Sequence, residues 1–118
     1  MNNKIVCANY TNLDNEKKVG IFLVIYDEYN DGKTNGGSNV LALKITSHVD
    51  VNCLYKLPIE SKLLDLDSVV IYSKFYTINK KNIFKVIGTA PHRLINNIES
   101  GIYYFMGQVY KQMRLFNE

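Results

Sequence analysis

The stretch LDLDSVVIYSKFYTINKKNIF, from Leu64 to Phe84, holds a clear strand signal. Its central run, Ser68–Ile78, is rich in β-branched and aromatic residues, which fit a pleated surface. The polar letters NKKN follow at residues 79–82, and a second apolar run, Ile83–Thr89, comes directly after them. Two such runs around a short polar segment predict a β-hairpin with a solvated turn.

Further apolar runs of similar length precede this stretch, and each is bounded by polar or turn-forming residues. The predicted strands are Lys4–Tyr10, Gly20–Glu28, Val40–Ser47 and Cys53–Ile59. The run Gly20–Glu28 contains consecutive apolar residues without polar interruption, which indicates a strand that is buried on both faces. The segment YNDGKTNGGSN, from Tyr29 to Asn39, carries the richest turn signal and is predicted to be a loop. Strands at such regular spacing indicate a compact β-sandwich or barrel.

After Pro91 the spacing of apolar residues changes to three and four, which predicts one amphipathic helix from Pro91 to Met113. Its predicted buried residues are Leu94, Ile98, Ile102, Phe105 and Val109. Gly101 and Gly107 lower the helix propensity, so they indicate close packing at those two positions. No repeat or linker divides the chain, and residues 1–118 are therefore expected to form a single domain.

The overall composition is that of an ordinary globular domain, with 47% hydrophobic and 21% charged residues among 118. The net charge of +3 permits a nucleic-acid partner without requiring one. The two cysteines and two histidines lack the spacing of metal ligands, so we expect neither a metal nor a cofactor. We find no signal-peptide pattern and no membrane-spanning apolar run, and we therefore expect a cytoplasmic protein.

Two hydroxyl residues and a histidine lie together where one predicted strand ends. Thr46 and Ser47 are followed directly by His48. Hydroxyls donate hydrogen bonds to phosphate oxygens, and an imidazole transfers protons near neutral pH. The three residues are therefore candidates for a site of proton transfer. The alternative interpretation is that His48 is a surface imidazole in a turn.

Several lysines lie near tyrosine or phenylalanine in the sequence. Such a mixture can bind single-stranded nucleic acid, because ammonium groups attract phosphates and bases stack on aromatic rings. The lysines predicted to bind in this way are Lys17, Lys18, Lys44 and Lys74. The alternative is an ordinary solvated surface, because exposed lysine keeps many small domains soluble.

The order of these elements and several local strings resemble the MazF/PemK family of toxins from bacterial toxin–antitoxin pairs. The similar strings are VGIFLVIYDE (residues 19–28), LALKITS (41–47) and LDLDSVVIYSKFYTINKKNIFKVIGT (64–89). The best-matching residues within them are Asp67, Ser68, Thr77, Ile78, Lys80, Ile87 and Gly88. The resemblance covers nearly the whole chain.

This resemblance implies a mainly β fold, namely a small SH3-like β-barrel with a long C-terminal helix. It also implies a homodimer that cuts single-stranded RNA without metal, an antitoxin partner, and a role in cleavage for Thr46 and Ser47. The family pattern has an Arg-Pro pair where this chain has Gly20-Ile21, an Arg at Tyr76 and an Asp at Asn79. Tyr76 and Asn79 are therefore predicted RNA contacts, without the planar phosphate clamp that arginine provides.

Two hypotheses about function remain open at this point. In the first, the chain is an endoribonuclease that uses Thr46, Ser47, His48 and nearby lysines. In the second, it is a non-catalytic barrel that binds nucleic acid or a protein partner. In either case a dimer interface is expected to use aromatic residues, with Tyr72, Phe75 and the exposed side of the last helix as predicted contacts.

Overall fold

The computed structural model describes residues 1–27, 39–59 and 62–116. In these ranges the elements are β1 (Lys4–Thr11), β2 (Lys17–Asp27), β3 (Asn39–Thr46), β4 (Lys56–Ile59), β5 (Ser68–Asn79), β6 (Ile83–Thr89) and α1 (His92–Phe116). A 3₁₀ turn, Lys80–Asn82, joins β5 to β6. Every predicted strand is present, although β4 begins three residues later than expected. The predicted loop Tyr29–Asn39 lies outside the described residues, except for Asn39, which begins β3.

The strands form one antiparallel sheet in the order β4-β5-β3-β2-β1-β6. The prediction of a hairpin between Ser68–Ile78 and Ile83–Thr89 is wrong. Instead, β5 pairs with β3 and β4, whereas β6 pairs with β1 on the far side of the sheet. Local sequence marks the turn at residues 79–82 correctly but contains no information about which strands pair across it.

This connection forces the sheet to curl. In a flat sheet β5 and β6 would be four strand spacings apart, which is about 19 Å. The three-residue link between Asn79 and Ile83 covers at most about 14 Å, and less in a 3₁₀ conformation. The sheet must therefore bend until β6 comes close to the end of β5. Within the described residues the ladder stays open, with β4 and β6 as its two edges.

The curled sheet buries apolar side chains on both of its faces. The inner core, inside the curl, consists of Val6, Ala8, Phe22, Val24, Val40, Ala42 and Ile78. The helix-side core, between the sheet and α1, includes Ile5, Leu23, Leu43, Ile45, Val70, Tyr72, Leu94 and Ile98. Since Phe22 and Val24 face one core while Leu23 faces the other, β2 is buried on both faces, as its unbroken apolar run indicates. The prediction of a mainly β fold with a C-terminal helix is confirmed.

Helix α1 packs on the sheet only through its first half. Leu94 and Ile98 are buried, and Ile102 and Phe105 are half-buried against the helix-side core. Val109, also predicted to be buried, is half-buried in a groove beside Tyr55. Farther along, apolar side chains remain exposed, and Phe116 is 84% accessible. No helix in the described ranges is both long and apolar enough to cross a membrane.

Gly101 in α1 lies directly over the ring of Tyr72. A Cβ atom at this position would be 2.7 Å from Cε1 and 2.8 Å from Cζ of that buried ring. The Gly101→Ala variant is therefore expected to unfold at lower urea concentration, because the overpacking cost of about 1–3 kcal/mol exceeds the gain of about 1 kcal/mol in helix propensity.

Gly107 provides the matched control on the same helix, because a Cβ atom there would meet nothing within 4 Å. The indication of close packing at Gly107 is thus wrong. Gly107→Ala should raise the free energy of unfolding by about 0.5–1 kcal/mol through helix propensity alone. Equal effects of the two substitutions in urea titrations would contradict the close contact between Gly101 and Tyr72.

Asp27, at the end of β2, joins three parts of the chain. Its carboxylate lies 2.7 Å from the Lys80 ammonium and 2.7 Å from the amino group of Met1. The Lys80 ammonium, followed by the N-terminal amino group, holds the pKa of Asp27 below its ordinary value, although partial desolvation acts in the opposite direction. The carboxylate therefore connects the end of β2, the 3₁₀ turn and the start of the chain.

The Asp27→Asn variant is expected to be less stable by about 1–2 kcal/mol at pH 7, at the low end for hydrogen bonds to charged groups because solvent screens the partly exposed Lys80. A lowered pKa in the folded state means that the unfolded chain binds the proton more readily. The contribution is thus complete above about pH 4 and disappears as the pH falls through the folded pKa. Urea titrations of both proteins from pH 7 to pH 2 would test this, with the exposed Asp65→Asn as control.

Candidate active site

A basic cavity of about 660 Å³ opens where the ends of β1, β2, β3 and β5 meet. Its lining residues are Tyr10, Thr11, Asn12, Leu13, Asp14, Lys18, Lys44, Lys74, Phe75, Tyr76 and Thr77. We call this space the basic cavity, since its charged lining residues are three lysines and one aspartate. Among the residues predicted to bind RNA, it brings together Lys18, Lys44, Lys74 and Tyr76.

Strand pairing explains why residues so distant in sequence share one cavity. Tyr10 in β1 lies opposite Lys18 in β2, and Lys44 in β3 lies opposite Phe22 in β2. Side chains alternate between the two faces of a strand. Tyr10, Lys18 and Lys44 therefore continue the inner-core face beyond its last apolar residues, and Tyr76 of β5 joins them across the curl. The basic cavity is the open, polar end of the inner core.

Two rings that line the cavity, Tyr10 and Tyr76, pack against the fully buried ring of Phe22, and we call these three rings the aromatic floor. The ring centres of Tyr10 and Phe22 are 5.3 Å apart, those of Phe22 and Tyr76 5.2 Å, and those of Tyr10 and Tyr76 5.8 Å. All three pairs meet edge to face, the arrangement that the charge distribution of aromatic rings favours. Each pair stabilises its geometry by about 0.5–1.5 kcal/mol beyond area burial. This packing restricts the positions that the three rings can take.

Two of the lysines are held against these rings. The Lys44 ammonium donates a 2.6 Å hydrogen bond to the Tyr10 hydroxyl and lies 4.9 Å from the ring centre, so it sits at the hydroxyl end of the ring. The Lys74 ammonium lies 5.0 Å from the centre of the Tyr76 ring, within the range of a cation–π contact. Lys18 is 3.9 Å from Glu16, and both side chains are exposed, so this pair is weak.

The β1–β2 hairpin places Asp14 at the cavity edge. The Asn12 side-chain oxygen accepts hydrogen bonds from the backbone N–H groups of Asp14 and Glu16. Asn15 has a φ angle of 64°, a left-handed conformation that asparagine tolerates better than most residues. The turn is thus closed by its own side chains, and it presents one carboxylate to a cavity lined by three lysines.

The predicted catalytic residues lie at the end of β3. Thr46 is two residues beyond Lys44 on the same face of the strand, but it is not among the residues that line the basic cavity. Its hydroxyl oxygen accepts a 3.1 Å hydrogen bond from the backbone N–H of His48, and this bond does not use its own O–H. Ser47 and His48 are exposed and do not line the cavity.

Lys56 secures the turn that follows. Its ammonium donates to the backbone carbonyls of Val49 at 3.0 Å and Val51 at 2.9 Å. A second local bond runs from the backbone N–H of Val51 to the carbonyl of His48. The segment that carries His48 is consequently tied to β4 rather than left as a free loop.

Two residues predicted to bind RNA lie outside the cavity lining. Lys17, expected in a loop, is the first residue of β2 and points away from its neighbour Lys18, because adjacent side chains alternate. Asn79 accepts a 3.0 Å hydrogen bond from the backbone N–H of Lys81, which caps the 3₁₀ turn. Its side chain has a structural role at the far end of β5. No group of three or more His, Cys, Asp or Glu suited to a metal ion occurs in the described part of the chain.

Comparison with models of known protein families gives a match that agrees with the fold described above. A family model described as "PemK-like, MazF-like toxin of type II toxin-antitoxin system" matches residues 2–106. The chain belongs to this family. The family prediction made from the sequence is therefore confirmed. No curated protein gives a significant sequence match to the chain.

Several solved structures share the fold of this MazF-like chain. A mycobacterial endoribonuclease in complex with its cognate antitoxin has 13% identity and a TM-score of 0.65, covering 91% of this chain and 94% of its own. The Mycobacterium tuberculosis toxin MazF-mt6 has 21% identity and a TM-score of 0.60, covering 92% and 96%. Another mycobacterial endoribonuclease has 13% identity and a TM-score of 0.63, covering 91% and 90%. At these identities the likeness establishes the fold.

Both positions at which the family resemblance implies arginine face the aromatic floor of this MazF-like cavity. Tyr76 is one of the three rings, and a Cβ atom on Gly20 would be 3.0 Å from the rings of Phe22 and Tyr10. In this chain aromatic side chains therefore fill the space into which arginine side chains would project. The positive charge comes instead from Lys18, Lys44 and Lys74.

Sequence reasoning missed Tyr10, Asp14 and Phe75 as lining residues. The missing signal was the hairpin register: pairing Thr11 with Lys17 around the turn at residues 12–16 would have placed Tyr10 beside Lys18. The aromatic content of the sequence predicts Phe75 only as a dimer contact. Asp14 gave no signal in the sequence, since a single acid in a turn is common.

Proposed function

We propose that this MazF-like toxin binds single-stranded RNA in the basic cavity and cleaves it without a metal ion. The main support for the proposal is that residues from separate strands converge on one cavity. Lys18, Lys44, Lys74 and Tyr76 come from three different strands, yet they line one cavity with an aromatic floor. A solvated surface would not require lysines to be gathered around rings in this way. We also propose that the protein acts on RNA in the cytoplasm.

The lining residues can bind both the phosphates and the bases of a single strand. The three lysines attract phosphates, an interaction that weakens as salt concentration rises. Phe75, which is 38% exposed at the cavity wall, offers a ring on which a base can stack. Such stacking contributes about 1–3 kcal/mol per base and depends little on sequence. The carboxylate of Asp14 repels phosphate at one edge of the basic cavity. It therefore helps to fix the position of the RNA strand.

Cleavage is proposed to proceed by attack of a ribose 2′-oxygen on the adjacent phosphorus. His48 takes the 2′-hydroxyl proton, the P–O2′ bond forms, the P–O5′ bond breaks, and the leaving 5′-oxygen takes up a proton. The products are a 2′,3′-cyclic phosphate and a 5′-hydroxyl end. The O–H of Thr46 and that of Ser47 donate to phosphate oxygens, and the cavity lysines stabilise the negative charge that develops. For this cleavage step the bound RNA strand must extend from the basic cavity across the end of β3.

A second candidate function is RNA binding without cleavage. It is favoured by the aromatic residues at both implied arginine positions and by the exposure of His48 outside the cavity lining. The deciding measurement uses the purified protein, excess EDTA and an end-labelled single-stranded RNA transcript at low salt. Cleavage with 2′,3′-cyclic phosphate ends supports the enzyme, whereas binding without cleavage supports the second function. The absence of both would exclude both.

We also infer a homodimer and an antitoxin partner. Tyr72 does not serve as a dimer contact, because it is buried beneath Gly101 of α1, where burial also raises the pKa of its hydroxyl. The second half of α1 remains as the proposed interface, with exposed apolar residues Tyr103, Tyr104, Tyr110, Met113 and Phe116. A monomeric mass in sedimentation at high micromolar concentration would contradict the dimer. The antitoxin proposal follows from membership of a type II toxin family.

A further inference from the structure

The hydrogen bond between Lys44 and Tyr10 stands out among the contacts in the cavity. It is short, at 2.6 Å, and partly buried, and it joins a cation to a phenol rather than to a carboxylate. Because the ammonium has no lone pair, it must donate, and the hydroxyl oxygen of Tyr10 accepts. The phenolic proton is therefore not used by this bond and is available to a group in the cavity.

We propose that Tyr10 is a catalytic residue of the cleavage reaction, namely the general acid that protonates the leaving 5′-oxygen. The inference rests on the proposed function and adds the acid that its mechanism leaves unassigned. Lys44 is the positioning residue, since it acts on the reaction through the Tyr10 hydroxyl.

The proposed step balances in protons and electrons. As the P–O5′ bond breaks, its electron pair goes to the 5′-oxygen, which takes the phenolic proton of Tyr10. The phenolate that results is stabilised by the ammonium of Lys44 at hydrogen-bond distance. After the step His48 carries one additional proton and Tyr10 has lost one. Proton exchange with solvent restores both residues after product release.

The surroundings of Tyr10 fit a preorganised acid. Its ring is fixed edge to face against Phe22 and Tyr76, and its oxygen is held by Lys44, so the hydroxyl has little freedom to move. Fixed donors need no reorganisation when charge develops in the transition state. A phenylalanine would preserve the ring contacts, which separates the packing role of Tyr10 from its chemical role.

The test begins by mapping one cut position of the wild-type protein in a long RNA transcript. An oligoribonucleotide that spans this position is then made in two versions, with oxygen or sulfur as the 5′-bridging atom. Sulfur leaves as a thiolate and needs no general acid. Tyr10→Phe is expected to cut the oxygen substrate about 10²-fold more slowly than wild type, at the low end for acid catalysis. It should cut the sulfur substrate at nearly the wild-type rate.

The control is Tyr26→Phe, which removes the hydroxyl of an exposed tyrosine on β2 outside the cavity and should leave both rates unchanged. Lys44→Met is the second variant, in case Tyr10→Phe folds poorly. Its ratio of sulfur to oxygen rates should also rise, and this ratio is unaffected by weaker RNA binding. Equal losses on both substrates, or no loss in Tyr10→Phe, would overturn the assignment. A wild-type protein that cuts neither substrate would refute the proposed function itself.

Discussion

His48→Ala is expected to lower the rate of RNA cleavage by about 10²- to 10⁴-fold, the usual range for loss of a proton-transfer group. RNA binding should change by less than about twofold, because His48 is exposed and does not line the basic cavity. Single-turnover cleavage of a labelled single-stranded RNA gives the rate, and fluorescence anisotropy at the same salt concentration gives the affinity.

His92→Ala is the matched control for this variant. His92 is also exposed, but it begins α1 and is absent from the lining of the basic cavity. Its replacement should leave both cleavage and binding unchanged. Full activity in His48→Ala would remove the residue from the mechanism, and the turn interpretation of His48 would then be correct. Loss of binding together with loss of cutting would instead assign His48 to RNA recognition.

Lys18→Ala combined with Lys74→Ala is expected to weaken RNA binding by about 10- to 100-fold at low salt. Two phosphate contacts would be lost, so the dependence of log K on log salt should become shallower by roughly 1.4 units for a single strand. Cleavage at saturating RNA should fall less than affinity, because the pair at Lys44 and Tyr10 is left intact. Anisotropy titrations at several salt concentrations give both the affinity and the slope.

The double variant Lys17→Ala with Lys85→Ala removes the same charge from outside the cavity. Lys17 is the immediate neighbour of Lys18 on β2, and Lys85 is exposed on β6. If affinity depended only on net charge, the two double variants would weaken binding equally. We expect the control to lose less than about threefold, since exposed charges distant from the RNA are screened by salt. Equal losses would exclude the cavity as the RNA site.

The sequence alone determined the elements of this protein and its family. The apolar run in Gly20–Glu28 indicated a strand buried on both faces, and β2 has Leu23 and Phe22 in separate cores. The change of period after Pro91 located α1 to within a few residues. These features depend on the spacing of neighbouring residues, which side-chain alternation and helix geometry translate directly into structure.

Only the tertiary structure decided which strands pair and which side chains converge. The stretch from Leu64 to Phe84 was expected to fold on itself, but β6 pairs with β1 and not with β5. That pairing curls the sheet and brings Tyr76 to Tyr10. Tyr72, expected at an interface, is buried under Gly101 because α1 packs on the sheet. Local sequence cannot specify such contacts, because their free energy comes from residues that are distant in the chain and become neighbours only when both faces of the sheet are buried.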